Sequence, residues 1–170
     1  MRRLAVFLSF FLLCSCGGGK PFEKRMDKVL GGGDFRDHQL GDSYTNVMKS
    51  ENSKYLQFPD SNILKYKYHV TDSEEYHWAY IFENDKVKQI QFDAYLGDDP
   101  LDGSVYCNKV KKRYEKKWGK SQEKNGITSW EKDGKSVDLV DESPIVSMGK
   151  VKILIYYTSD TTIQKMIPER

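Results

Sequence analysis

Few residues in this chain could do covalent or coordination chemistry, and they are widely spaced. Cys14 and Cys16 stand two apart in FFLLCSCGGGK, directly after an apolar run. A structural zinc site takes roughly four ligands, and no further Cys or His lies near this pair to complete one. His69, Glu74, Glu75 and His77 bracket an expected turn between two strands. Antiparallel pairing would bring the two imidazoles beside a carboxylate, so His69 and His77 are the candidate transition-metal pair. They lack a tight ligand spacing such as H-E-x-x-H, and the plainer reading is a charged hairpin loop. GDDPLDGS, from Gly97 to Ser104, has acids enough for calcium. An EF-hand loop counted from Asp98 would need an oxygen ligand at its third position and Glu at its twelfth. The chain has Pro100 and Lys109 there, so these acids read as helix caps. Cys107 falls on an apolar stripe, where packing is the expected role. No serine sits in a Gly-x-Ser-x-Gly setting, and the glycine runs at 17–19 and 31–33 lack the Gly-Lys-Ser/Thr ending of a phosphate loop. No catalytic residues, no metal site and no cofactor are expected.

The cysteine pair is better explained by what precedes it. Arg2 and Arg3 follow Met1, and Leu4 to Leu13 is apolar apart from Ser9. A charged start, a short apolar stretch and small residues make a secretory signal peptide. The stretch is about half of the roughly 20 residues that a spanning helix requires. Leu13-Cys14-Ser15-Cys16 resembles the lipobox of bacterial lipoproteins, a Leu-x-small-Cys tetrad. The resemblance implies cleavage between Ser15 and Cys16, with Cys16 acylated as the new N-terminus. Using Cys14 as the anchor would put bulky Leu13 before the cut, where a small residue is expected. The expected location is the bacterial envelope, with the membrane reached through the lipid anchor. Gly17 is not the Asp that retains some lipoproteins at the inner membrane, so the outer membrane is favoured by analogy.

That reading also changes the charge. The chain has 27 Lys and Arg against 25 Asp and Glu. Loss of Arg2 and Arg3 with residues 1–15 removes no acid and leaves 25 of each. The formal net charge of +2 is then a targeting feature, and no nucleic-acid partner is expected. Cys107 is left as a single thiol without a disulfide partner, so the domain must stand on its core.

The elements follow from periodicity. Residues 16–33 read as the lipidated cysteine and a flexible tether, with a short helix over Phe22–Leu30 broken by Gly31-Gly32-Gly33. A single globular domain is expected over 34–158, and a C-terminal tail over 159–170. Asp42 or Ser43 caps a short helix bearing Tyr44, Val47, Met48 and Glu51. Strands are expected at Ile63–Val70, His77–Phe82 and Val87–Leu96, each alternating between an apolar and a wet face. Asp99 and Pro100 open a longer helix with Cys107, Val110, Tyr114 and Trp118 on one side, stopped by Gly119. Lys109, Lys111, Lys112, Arg113, Lys116, Lys117 and Lys120 crowd the rest of it, as a solvated face or a contact for anionic headgroups. Ile127–Trp130 and Val137–Val140 flank the turn Asp133-Gly134, and Val151–Tyr157 closes the sheet.

The expected fold class is α+β, an antiparallel sheet of about six or seven strands with two helices on one face. LGD precedes both helices, at Leu40 and Leu96, which raises the option of two helix-plus-meander halves. This layout is similar to the envelope lipoprotein modules of the SmpA/OmlA type and to the β-lactamase-inhibitor protein. The likeness rests on element order, and the Gly-x-Pro that often follows the helix in the former is missing. It implies a non-catalytic module that binds an envelope protein, as an assembly accessory or an inhibitor. The other expectation is a small-molecule-binding or solute-sensing lipoprotein.

Overall fold

Alternating apolar and polar residues turn most of this chain into strands. The computed structural model describes residues 29–160; the signal peptide, Cys16 and most of the expected Phe22–Leu30 helix lie outside them. In chain order the elements are α1 (Tyr44–Ser50), β1 (Leu56–Asp60), β2 (Ile63–His69), β3 (Glu75–Glu83) and β4 (Lys86–Tyr95). Then come α2 (Pro100–Trp118), β5 (Gln122–Lys124), β6 (Ile127–Lys132), β7 (Lys135–Asp141), the short α3 (Ser143–Val146) and β8 (Lys150–Tyr157). The fold is α+β, with one open antiparallel sheet in the order β1-β2-β3-β4-β8-β7-β6-β5.

Eight strands stand where six or seven were expected. The two unforeseen ones, β1 and β5, are the sheet's edges. Their side chains are nearly all exposed, so neither carries the alternation that burial imposes. Pro59 is tolerated in β1 because an edge strand has one unpaired side.

Local chemistry fixes the remaining boundaries. Ser43 caps α1 by accepting from the Asn46 amide at 3.3 Å, and Asp99 caps α2 through the Leu101 amide at 2.9 Å. Asn84-Asp85, Asn125-Gly126 and Asp133-Gly134 each place two successive residues at positive φ. That is the turn whose twist suits a tight hairpin. The glycines of both LGD triplets also take positive φ, at 93° and 100°.

The strand register places Tyr66, Trp78, Phe92, Ile153 and Leu139 side by side across five strands on one face. Both longer helices cover this face, with Val47 of α1 and Tyr106, Val110 and Tyr114 of α2 in the same core cluster. Cys107 and Trp118 only border that cluster; Tyr106, which the expected stripe omitted, is the residue sealed inside it. Gly103 lets α2 approach α3, since a Cβ there would fall 1.8 Å from Ser143 Oγ. The core cluster runs from Val29 to Ile155. Val29 and Leu30 are helical and buried, so the packed domain begins earlier than the Asp34 boundary read from the sequence.

A polar network pins the N-terminal segment beneath the sheet. Arg36 Nε donates to Glu51 Oε1 at 2.9 Å and Nη2 to Oε2 at 3.0 Å. Tyr80 OH donates to the same carboxylate at 2.5 Å. The Arg36 guanidinium lies 4.3 Å from the centre of the Trp78 ring, a cation–π contact. His38 touches Ser50 Oγ at 3.0 Å and Asp42 at 3.4 Å. Glu51 closes α1, and its side chain is only 3% exposed.

Candidate functional site: the open face of the sheet

Strand alternation sends every second residue away from the helices. One row across this open face is Lys67, His77, Asp93, Lys152 and Val140. The next is Lys65, Ala79, Gln91, Leu154, Asp138 and Ser129. The small side chain of Ala79 between Lys65 and Gln91 leaves a depression. The result is a shallow groove of about 310 Å³ bordered by Lys65, Lys67, His77, Gln91 and Asp93.

Two carboxylate clusters flank the groove. Glu75 Oε2 meets Lys67 Nζ at 2.8 Å and His69 Nδ1 at 2.8 Å, while its other oxygen contacts His77 Nε2. Burial would raise the Glu75 pKa, but the hydrogen bonds from Lys67 and His77 outweigh it and hold the carboxylate below its ordinary value. On the other side Glu142 takes Lys150 at 2.8 Å and Lys152 at 3.0 Å. Its pKa is likewise lowered, with these lysines prevailing over burial. Asp93 lies between the clusters, 4.0 Å from both Lys150 and Lys152. Its pKa is raised, because burial outweighs those more distant cations. The His77 and Tyr95 rings pack at 5.0 Å beside it.

Further along the sheet the open face is partly closed over. Leu154 and Tyr156 form a small second apolar cluster. Between them Asp138 accepts from Ser129 Oγ at 2.5 Å and from Tyr156 OH at 2.7 Å. Burial, then the bond to Asp138, raises the Tyr156 pKa.

The register sets His69 opposite Glu75 and Lys67 opposite His77, so the two imidazoles meet only through Glu75, which each of them contacts. Among the described residues no group of three or more His, Cys, Asp or Glu is arranged to hold a metal ion. Glu74 is on the turn and receives the Tyr76 hydroxyl. Asp99 serves as a cap. The Cys107 thiol is pushed up to about 12 by burial and then by Asp141, so it is a thiol and not a nucleophilic thiolate at neutral pH. Ser15 and Cys16 fall outside the described residues, and no helix among those described is long and apolar enough to cross a membrane.

Sequence reasoning missed the Arg36–Glu51–Tyr80 network and the Asp93–Glu142–lysine cluster. One signal was present for the first: Glu51 falls on the apolar side of its helix, where a carboxylate needs a partner. The second joins groups from β4, β8 and the turn before α3, a proximity that no local pattern carries. Comparison with known protein families, curated proteins and solved structures finds no match.

Proposed function

We propose that this chain is a lipid-anchored envelope lipoprotein whose domain binds another protein through the open face of its sheet. The anchor stands on Cys16 and the signal-peptide pattern before it. The binding face stands on one observation: helices cover a single side of the eight-stranded sheet. The other side presents charged and polar groups in register across five or more strands. Such a broad, mixed-charge plane suits a protein partner of complementary charge. Each half of the chain sets a helix before four strands, an order akin to the inhibitor and assembly modules the layout resembles. A role without catalysis accords with the half-buried, protonated Cys107. A second reading, a small polar ligand seated over Ala79, is favoured by the groove, whose volume reaches the lower range of ligand sites.

Labelled palmitate should enter the wild-type protein and not Cys16→Ser. Equal labelling of both would remove the anchor. A mild-detergent pull-down should then recover a stoichiometric partner from wild type and less from Cys16→Ser. A blank with both would shift the reading to the small ligand.

A further inference from the structure

The charges on α2 are sorted by end. Asp98, Asp99 and Asp102 are exposed at its start. Lys112, Lys116, Lys117 and Lys120 are exposed at its finish, beside Lys132 of the β6–β7 hairpin. Glu115 and Asp133 are interspersed there without balancing them. The helix is 19 residues long, so these poles lie about 28 Å apart. With residues 1–15 removed the chain is formally neutral, yet it carries a strong dipole along this helix.

The N-terminal segment is stitched to the basic pole. Arg113 donates to the Gly31 carbonyl, and Lys117 to those of Gly32 and Gly33. Lys135 pairs with Asp34 at 2.7 Å, and the Tyr114 hydroxyl donates to the Asp34 carbonyl at 3.2 Å. Cys16 precedes Val29 by a stretch that spans at most about 45 Å when extended. Within the pole a depression of about 150 Å³ is lined by Lys117, Trp118, Lys132 and Lys135 together with the carboxylates of Asp34 and Asp133. The Trp118 indole N–H is buried there without a partner among the described residues. The Lys117 pKa is lowered by burial, Asp34 opposing it and Lys135, Arg113 and Lys132 adding to it. Incoming negative charge would relieve that crowding.

We propose that this basic pole docks on an anionic lipid surface, so that the bilayer holds the C-terminal end of α2 and the acidic end points away. An acyl chain with a polybasic patch is a two-signal membrane attachment. The proposal takes the presence of a bilayer from the lipid-anchor reading, but the surface itself can be tested without the lipid.

A chain from Gly17 to Arg170 retains every core residue and lacks both the apolar leader and Cys16. It should co-sediment with phosphatidylcholine vesicles containing about a third phosphatidylglycerol, and not with phosphatidylcholine alone. Added salt should release it. Each exposed lysine contributes about fivefold, so Lys116→Glu, Lys120→Glu and Lys132→Glu together should weaken binding more than a hundredfold at an unchanged melting temperature. Lys65→Glu, on the open sheet face, should leave binding as it was. The proposal is overturned if the wild-type chain ignores phosphatidylglycerol, if the triple variant binds equally, or if Lys65→Glu weakens binding as much. It is also overturned if the triple variant loses a protein partner while vesicle binding persists. Palmitate labelling at Cys16 reports the anchor separately, so either reading can fail alone.

Discussion

The two faces of the sheet are built from the same strands and answer to different physics. The covered face buries aromatic and branched side chains, and its most buried charged pair, Arg36–Glu51, is bidentate and capped by Tyr80. The open face carries carboxylates that share lysines and imidazoles at the surface. On the first, removing one group strands another in a dry site. On the second, the groups share several partners and lie nearer to water, so the loss of one is smaller. Stability should therefore be concentrated on one side of the sheet and binding on the other.

The largest effect should come from Glu51→Ala. It leaves the Arg36 guanidinium and the Tyr80 hydroxyl without their acceptor, a loss of about 3–5 kcal/mol for a broken buried pair. Urea denaturation should show the unfolding free energy fall by that amount, with the midpoint lowered in proportion. A change below about 1 kcal/mol would mean that the pair behaves as a surface ion pair and that the contrast between faces fails. Gly103→Ala comes next, since its methyl group meets Ser143 Oγ; overpacking of this kind costs about 1–3 kcal/mol, read from the same midpoint.

Much of this architecture is legible in the residues themselves. Three of the six inner strands, β2, β3 and β4, announce themselves by alternation, β6 and β7 by the turn between them and β8 by its apolar run, and Ser43, Asp99, Gly119 and Asp133-Gly134 mark ends that the structure keeps. β1 and β5 were illegible because edge strands bury almost nothing; Asn125-Gly126 was the one cue for β5. The open face was legible as wet, through Lys65, Lys67 and His69 and through Gln91 and Asp93, but its clusters were not. Glu142 reaches two lysines on β8, and Arg36 reaches Tyr80 only through Glu51. Such meetings depend on the completed sheet.

Smaller effects on the open face sharpen the contrast because two carboxylates there have opposite signs. The folded-state pKa of Glu142 is depressed below its ordinary 4.5. Its contribution is therefore complete above the ordinary carboxylate range and is lost as pH falls through the depressed value. Glu142→Gln should cost about 1.5 kcal/mol near neutrality, and the gap from wild type should close on acidification below that range. Asp93 is shifted upward from 3.8, so what it contributes is present below that value and lost as pH rises through the folded-state value. Asp93→Asn should leave the midpoint at pH 7 unchanged or raise it slightly. A loss of more than about 1 kcal/mol in unfolding free energy would show that Lys150 and Lys152 depend on Asp93 more than on Glu142.

The central claim is that the open face binds a protein. Ala79→Arg tests it most directly, by filling the groove between Lys65 and Gln91 without touching the covered core. Tagged wild type and variant, matched for melting temperature, would be recovered from membranes in mild detergent. The account predicts a stoichiometric partner with wild type that is absent with Ala79→Arg. The same partner recovered equally with both would contradict it and move the binding surface off this face.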